Sequence, residues 1–302
     1  MRVGMIGLGN MGAGMAASLY RAGLLGGVCD PRPEATEPFV KRGIRAAETP
    51  AELARGCDIV CSSLPGPVQV EDVLIGEHGV VHGLGPGGVH IELSTSNPEL
   101  IRAIEPRFSA IGASLVDAPV SGGVEGAAAG RLTLMVGASD EVFAAVKPAL
   151  DALGSNVIHV GALGAGAVVK LVHNMINFGI AQALAEGFTL GVKAGVDPAR
   201  LWECIRTGGV GRAFAVHDSI PRKVFRGDWD PPTFSLNIAY KDISLAVQLA
   251  QDLHVPTPVA DIALERATEG MSRGWANRDA WIQFTLQEEA AGVVVRTNDV
   301  PI

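Results

Sequence analysis

The residues best suited to chemistry lie in two stretches near the middle of the chain. In the first, Ser121-Gly122-Gly123 follows Asp117-Ala-Pro-Val, and consecutive backbone amides beside a serine hydroxyl can surround a small carboxylate. In the second, Lys170 and Asn174 are four residues apart, so they share one face of a helix. A lysine and an amide side chain among apolar residues favour a cleft that holds a polar substrate.

Each of these stretches also allows a simpler interpretation. Residues 117–130 contain so many glycines that we predict a loop there rather than a regular helix or strand, and Ser121 could serve only as a cap. The face that carries Lys170 and Asn174 could be a solvated stripe of an amphipathic helix. His173 lies one position off that face, and we interpret it as a structural residue.

A glycine motif near the N-terminus predicts a nucleotide site. It reads Gly7-Leu8-Gly9-Asn10-Met11-Gly12 and lies between a predicted strand, residues 2–7, and a predicted helix, residues 11–21. The first glycine permits a sharp turn, the second lets the backbone approach a pyrophosphate, and the third lets the helix pack against the strand. The amides and the dipole of the helix N-terminus then face the phosphates. We therefore predict a dinucleotide-binding unit.

An acidic residue follows the glycine motif at the spacing expected for a ribose contact. Asp30 comes directly after the second predicted strand, residues 24–29. A carboxylate at this place accepts a hydrogen bond from the ribose 2′-hydroxyl and repels a 2′-phosphate, which favours NAD. Arg32 follows two residues later, either as a solvent-exposed side chain or as a phosphate contact, so NADP stays open as the alternative.

Strand and helix signals alternate through the first half of the chain. Helices are predicted at residues 33–42 and 140–153, and helix starts after the caps Thr49 and Asn97. Further strands are predicted at residues 44–46, 58–63, 89–93, 115–117, 132–136 and 157–160. This alternation predicts an α/β Rossmann domain with a doubly wound parallel sheet.

The second half carries helix signals almost throughout. Residues 167–193 predict a helix long enough to join two lobes, and the Gly- and Pro-rich stretch 208–235 predicts a loop. Other helices are predicted at residues 198–207, 236–253, 259–272 and 278–289. We therefore predict a dinucleotide-binding domain at 1–163 and an all-α domain at 164–302.

The composition limits the partners and the compartment. The 302 residues are 48% apolar and carry a net charge of −8, so nucleic acid and anionic membranes are not expected partners. The four cysteines contain no C-x-x-C pair, which predicts reduced core thiols and no metal site. Without a signal-peptide layout at the start or a long apolar span, we expect a cytoplasmic protein.

Four motifs together resemble one family. They are the glycine motif, Asp117-Ala-Pro-Val-Ser121-Gly122-Gly123, Gly164-x-Gly166-x-x-x-Lys170-x-x-x-Asn174, and Lys241-Asp242-Ile-x-Leu-Ala. In this order they resemble the β-hydroxyacid dehydrogenases, the group that includes 3-hydroxyisobutyrate dehydrogenase and tartronate semialdehyde reductase. The resemblance covers nearly the whole chain, and it implies a small carboxylate-bearing substrate and a homodimer or homotetramer.

The resemblance also implies a role for individual residues. It implies that Lys170 is the catalytic acid and base and that Asn174 anchors the substrate. It also implies that the substrate carboxylate binds to Ser121, Gly122 and Gly123. It places Thr95 and Lys241 against the cofactor and makes Leu64-Pro65 a turn that lines the cofactor site. Without it, Thr95 is equally compatible with a helix cap and Lys241 with a surface charge.

Two other functions are compatible with the same architecture. Imine reductases share it, but their catalytic lysine is usually replaced, whereas Lys170 and an intact Ser-Gly-Gly are present here. A non-catalytic nucleotide-binding protein is the second alternative, because fold alone does not define activity. The motifs do not identify the hydroxy acid, which we expect side chains in the region 208–240 to select.

Overall fold

The chain folds into two compact units, Met1–Met175 and Ile176–Ile302. The structure is a computed structural model and describes residues 1–252 and 254–298. The boundary lies within one long helix, which contributes its first turns to the first unit.

Strands and helices alternate in the first unit, as predicted. The strands are β1 (Val3–Ile6), β2 (Leu25–Cys29), β3 (Ile59–Ser62), β4 (Val89–Glu92), β5 (Ser114–Asp117), β6 (Val120–Ser121), β7 (Leu132–Gly137) and β8 (Gly154–Gly161). The helices are α1 (Gly12–Arg21), α2 (Pro33–Val40), α3 (Pro50–Ala54), α4 (Pro67–Ile75), α5 (Pro98–Ser109), α6 (Gly123–Ala129), α7 (Asp140–Leu153) and the start of α8 (Ala165–Lys193).

The eight strands form one sheet, in the order β2-β1-β3-β4-β5-β7-β6, with β8 beside β7. Strands β1 to β5 pair in parallel, and β1 lies where the chain order reverses between β2 and β3. Ligands of open α/β sheets bind outside the carboxyl ends of the strands at such a point. The doubly wound Rossmann fold is thus confirmed, with one unexpected detail: β7 runs antiparallel to β5 and β6.

Apolar side chains cover both faces of the sheet. Along β3, Ile59 and Cys61 belong to the apolar cluster on one face, and Val60 belongs to the cluster on the other. Successive side chains of a strand point to opposite faces, so a strand that is apolar at every position is buried on both sides. The predicted strand at residues 58–63 is confirmed, and it is buried on both faces.

Capping residues explain where several helices begin. The hydroxyl of Thr49 accepts a hydrogen bond from the Glu52 amide, and Asn97 does the same for Glu99, as these caps predict. The predicted strand at residues 44–46 was wrong, because only Ala46 forms an isolated parallel bridge, with Val28.

The glycine-rich segment 117–130 was predicted to be a loop, and this prediction was wrong. It contains the strand β6 and the helix α6. Gly122 and Gly123, at φ +136° and +66°, turn the chain from strand to helix through conformations that favour glycine. Three consecutive alanines then continue the helix, since alanine is the best helix former. Gly130 ends it in the left-handed conformation.

The second unit is helical, as predicted. It holds the rest of α8, α9 (Pro198–Thr207), α10 (Leu236–Asp252), α11 (Pro258–Ser272) and α12 (Phe284–Ala291). Among its described residues there is no strand beyond an isolated bridge between Ser235 and Asp279. Leu253, the predicted end of α10, lies outside the described residues. No helix in the described part of the chain has the length and apolar character needed to span a membrane.

Two predictions for the second unit need correction. The predicted loop 208–235 contains a helical segment with π-type hydrogen bonding, Ala215–Val224. The helix predicted at residues 278–289 is a short 3₁₀ turn, Ala280–Gln283, followed by α12. The turn starts at Ala280 because the buried carboxylate of Asp279 accepts the amide hydrogen bond of Trp281, and an aspartate in this role marks a helix start.

Candidate active site

A cleft of about 660 Å³ lies in the first unit where β1, β2 and β3 end. Its volume is typical of a cofactor site. Most of the residues predicted to contact a cofactor line it, namely Gly7, Gly9, Asn10, Met11, Gly12, Asp30, Arg32, Leu64 and Pro65. Leu8 is buried and is not among the residues that line the cleft, but its amide donates a hydrogen bond to Asp30.

The three glycines of the motif meet different spatial demands. Gly7 adopts φ +80°, and an added Cβ would lie 2.3 Å from the carbonyl oxygen of Ser63. At Gly12 an added Cβ would lie 1.8 Å from the carbonyl oxygen of Gly7, so no side chain fits. Gly9 has open space where its Cβ would project. The first and third glycines are therefore required by the fold, and the second leaves room for a group such as a pyrophosphate to reach the backbone.

Asp30 is held firmly at the edge of the cleft. Its side chain is 4% exposed and that of Arg32 is 53% exposed. The carboxylate accepts hydrogen bonds from the Leu8 amide at 2.7 Å and from Nε and Nη2 of Arg32 at 2.9 and 3.0 Å. Burial opposes ionisation of Asp30, but these hydrogen bonds outweigh it and lower the pKa of the carboxyl below its ordinary value. Asp30 is thus an oriented, ionised acceptor.

The sequence analysis missed two further carboxylates that line the cleft, Glu48 and Asp72. Glu48 precedes α3, and Asp72 lies on α4 beside Gln69 and Val73, which also line the cleft. Residues at these spacings share one helix face. Pro67 at the first position of α4 was the available signal for this helix. Together with Asp30 they make this cleft acidic, with Arg32 as the cation among the lining residues.

A buried polar network supports the Leu64-Pro65 turn from below. The Leu64 amide donates to Oγ of Ser94 at 2.7 Å, and the Ser94 amide donates to the Glu92 carboxylate at 2.7 Å. The hydroxyl of Ser62 contacts both Glu92 and His90. The turn is therefore anchored to the end of β4, which fixes its backbone at the cleft.

Thr95 does not lie with the other predicted cofactor contacts. Thr95 is exposed in the turn after β4, and it is not among the described residues that line the cleft. The following helix is capped by Asn97 instead. The contact of Thr95 with the cofactor stays a prediction.

The predicted binding site for the substrate carboxylate, Ser121 to Gly123, contacts α8 in its first turns. Ser121 ends β6, and Gly122 and Gly123 follow at the N-terminus of α6. The Oγ atom of Ser121 lies 3.5 Å from Nε2 of His173, whose Nδ1 lies 3.3 Å from Oδ1 of Asn174. His173, which the sequence analysis took for a structural residue, thus contacts both Ser121 and Asn174. The roles of Ser121 and Asn174 toward a substrate stay predictions.

Lys170 precedes Asn174 by one helical turn on α8. Its side chain is half-buried, and burial lowers the pKa of its ammonium below the ordinary lysine value, because the charged form loses hydration. A lysine with a lowered pKa can exchange a proton nearer to neutral pH. The polar face is therefore a partly buried feature and not simply a solvated stripe.

Lys241 lies on α10 in the second unit. Its ammonium pairs with the adjacent carboxylate of Asp242 at 2.9 Å, and the side chain is 63% exposed. An exposed pair of this kind adds little to stability. Its predicted contact with the cofactor stays a prediction.

Two family models match nearly the whole chain. The NAD-binding domain of 6-phosphogluconate dehydrogenase matches residues 2–161. The NAD-binding domain of NADP-dependent 3-hydroxyisobutyrate dehydrogenase matches residues 164–283.

Several curated proteins are similar over most of their length. 2-(Hydroxymethyl)glutarate dehydrogenase of Eubacterium barkeri is 34% identical and is covered to 97%, with 98% of this chain aligned. The 3-hydroxyisobutyrate dehydrogenase of Pseudomonas aeruginosa is 35% identical, with 86% of this chain and 89% of the relative aligned. The NAD-dependent L-serine dehydrogenase of the same organism is 34% identical, with 96% and 99% aligned.

Solved structures show the same fold. The 3-hydroxyisobutyrate dehydrogenase of Salmonella typhimurium is 30% identical, with a TM-score of 0.61 over 95% of this chain and 99% of that chain. An imine reductase from Pseudomonas sp. reaches a TM-score of 0.80 over 95% and 99% at 19% identity, which shows a shared fold alone. With the family models and the relatives above, these findings show that the chain belongs to the β-hydroxyacid dehydrogenase family of NAD(P)-dependent oxidoreductases.

Proposed function

We propose that this protein reversibly oxidises a 3-hydroxy acid to its semialdehyde or 3-oxo acid with NAD or NADP, and that Lys170 is the general acid and base. The observation that carries this proposal is the arrangement on α8. A half-buried lysine with a lowered pKa lies one turn before Asn174, and the His173–Asn174 pair adjoins Ser121.

The substrate carboxylate would bind at the turn from β6 to α6. The Ser121 hydroxyl can donate one hydrogen bond, and the amides of Gly122 and Gly123 can donate two more. These glycines take positive φ angles, so their amides point in directions that a residue with a side chain rarely allows. Asn174, which contacts Ser121 through the imidazole of His173, would add a side-chain amide that orients the bound acid.

The proton of the reaction would pass through Nζ of Lys170. A bound cofactor supplies the nicotinamide ring that accepts or returns the hydride. During oxidation neutral Lys170 accepts the hydroxyl proton of the substrate, and during reduction its ammonium polarises the carbonyl and returns that proton. An ordinary lysine, with a pKa near 10.4, is a weak base for this task at neutral pH, so the partial burial of Lys170 supports the assignment.

We favour NAD over NADP as the cofactor. Three carboxylates, Asp30, Glu48 and Asp72, line the cleft, and they disfavour the doubly charged 2′-phosphate of NADP. Arg32 could bind such a phosphate, but its Nε and Nη2 atoms already donate hydrogen bonds to the carboxylate of Asp30. Recruiting Arg32 to a phosphate would therefore leave Asp30 buried without its cation, which is costly.

The relatives support the substrate class. They include enzymes named for 3-hydroxyisobutyrate, L-serine and 2-(hydroxymethyl)glutarate, and each of these acids carries a hydroxymethyl group on the carbon next to a carboxylate. We propose that the substrate of this chain shares that unit.

The test is nicotinamide absorbance with these three acids and either NAD or NADP. We expect that one of the acids reduces NAD or NADP in the presence of the protein. Addition of the matching semialdehyde should then oxidise the NADH or NADPH again. Cofactor binding without turnover of any acid, in parallel with reduction of a cyclic imine, would favour the imine reductase alternative. Cofactor binding without any turnover would favour a binding protein.

We also propose that the protein forms a homodimer or homotetramer. Along α8, large apolar side chains are exposed in the single chain, including Met175, Ile176 and Phe178 at 66%, 53% and 67%. Large apolar side chains left exposed in this number along one helix mark an interaction surface. Light scattering with size-exclusion chromatography would test this, and a monomer at micromolar concentration would contradict it.

A further inference from the structure

Asp117, which lies four residues before Ser121 in the chain, contacts the start of α8. It is the last residue of β5 and is 1% exposed. Its carboxylate accepts hydrogen bonds from the amides of Gly164 at 2.6 Å and Ala167 at 2.7 Å. The first amides of a helix lack partners within the helix. Asp117 therefore caps α8 from 47 residues away in sequence.

Two glycines make room for this carboxylate. Gly137 pairs with Asp117 across the β5–β7 ladder, and an added Cβ there would lie 2.2 Å from Oδ1 of Asp117. At Gly166 an added Cβ would lie 2.1 Å from the carbonyl oxygen of Met135 and 2.9 Å from Oδ2 of Asp117. No side chain fits at either position without moving the strand or the helix, so the geometry around the carboxylate is tightly constrained.

The charge state of Asp117 reflects opposing effects. Burial raises the pKa of the carboxyl above its ordinary value, and the hydrogen bonds from Gly164 and Ala167 act in the opposite direction, because they stabilise the ionised form. A carboxylate at a helix N-terminus also interacts favourably with the helix dipole. The contact thus joins a buried acceptor to a helix end that needs one.

This contact links the two halves of the proposed active site. Asp117 lies four residues before Ser121 in the chain, and Ala167 lies three residues before Lys170. One carboxylate therefore fixes the strand end that leads to the proposed carboxylate-binding site and the helix turn that leads to the proposed acid and base. Nothing in the catalytic step itself requires Asp117 to touch the substrate.

We propose that Asp117 is a positioning residue, which holds the first turn of α8 against the end of β5 and thereby sets the separation of Lys170 from Ser121. The proposal rests on the proposed function, because it needs Lys170 to act in the reaction. A displacement on the order of 1 Å can lower turnover about a hundredfold, so a loosened cap acts mainly on kcat.

The test compares Asp117→Asn with Ser139→Ala. Asparagine keeps the shape but turns an NH₂ group toward one amide donor, so one of the two hydrogen bonds is lost. Ser139 caps α7 in the same unit, through the Val142 amide, and is not one of the residues proposed to bind substrate or cofactor. Three quantities are measured: hydrogen–deuterium exchange of the Gly164 and Ala167 amides, the Kd of NADH, and kcat with KM.

For Asp117→Asn we expect faster exchange at whichever of the Gly164 and Ala167 amides loses its acceptor, a Kd for NADH within about twofold of wild type, and kcat lowered by about tenfold to a hundredfold. For Ser139→Ala we expect a lower Tm at unchanged kcat. Asp117→Ser, whose hydroxyl can also cap only one amide, should lower kcat in the same range and replaces Asp117→Asn if that variant does not fold.

Two outcomes overturn the proposal. Faster exchange with unchanged kcat would make Asp117 only a stabilising cap, and unchanged exchange would show that the carboxylate does not hold the helix start. Failure of the proposed function is seen separately, because Lys170→Ala would then retain full turnover while exchange at Gly164 and Ala167 still depended on Asp117.

Discussion

The hydroxyl of Ser121 lies 3.5 Å from the imidazole of His173, and this contact joins the end of a short strand to the third turn of a long helix. The imidazole also contacts the side-chain amide of Asn174. His173 is thus positioned to orient both groups that we propose to bind the substrate.

Substitution of His173 by alanine should weaken substrate binding. The loss of one neutral hydrogen bond corresponds to a rise in KM of about twofold to tenfold, with the Kd of NADH unchanged. Steady-state kinetics with the hydroxy acid identified above measures it, and His82→Ala, which removes an exposed histidine elsewhere in the first unit, is the control. An unchanged KM would show that His173 takes no part in the site.

Alanine substitutions at the glycine motif should separate folding from cofactor binding. Gly9→Ala should leave Tm unchanged but raise the Kd of NADH, because its Cβ projects into open space at the cleft. Gly12→Ala should destabilise the fold by about 1–3 kcal/mol, since its Cβ meets the Gly7 carbonyl. Thermal unfolding and fluorescence titration measure both effects. Gly85, which has open space around its Cβ position, provides the control Gly85→Ala. Equal effects of Gly9→Ala and Gly85→Ala on Kd would contradict the assignment.

Substitution of Asp30 by asparagine should reduce the preference for NAD. The charge that repels a 2′-phosphate disappears and Arg32 is released, so the ratio of kcat/KM for NADP to that for NAD should rise about tenfold, which equals about 1.4 kcal/mol. Glu34→Gln removes an exposed carboxylate from the neighbouring helix and serves as the control for net charge. An unchanged ratio in Asp30→Asn would mean that Asp30 does not contact the ribose.

The two directions of the reaction should depend on pH with opposite sign. Burial lowers the pKa of Lys170, so the neutral base becomes available below the ordinary lysine range. Oxidation should therefore accelerate as pH rises through this pKa, and reduction should slow, because it needs the ammonium form. Profiles of kcat/KM in both directions test this. The same sign in both directions would exclude Lys170 as the shared acid and base.

Much of the fold could be predicted because local signals and tertiary structure agree. The glycine motif lies between a strand and a helix in the structure, and the prediction of a helix at 140–153 matches α7, whose start Ser139 caps. The segment 117–130 failed for the opposite reason. Its glycines look like a loop, yet Gly122 and Gly123 only make the turn into a helix that the alanines sustain.

The parts of the site that escaped prediction depend on contacts between distant segments. Glu48 and Asp72 line the cleft from separate elements, and His173 contacts Ser121 although the two residues are 52 positions apart in the chain. Patterns within a short stretch of sequence do not reveal contacts between segments that are distant in the chain. The boundary at 163/164 and the cofactor roles of Thr95 and Lys241 stay predictions.

The central claim is that Lys170 transfers the proton, and the most direct test is the turnover of Lys170→Ala. Single-turnover kinetics with saturating cofactor and hydroxy acid should show a loss of about 10²–10⁴-fold, with the Kd of NADH unchanged. Lys193→Ala, which removes an exposed lysine from the end of the same helix, should retain wild-type turnover. If Lys170→Ala turned over as fast as wild type while it bound cofactor normally, the proposed chemistry would be wrong.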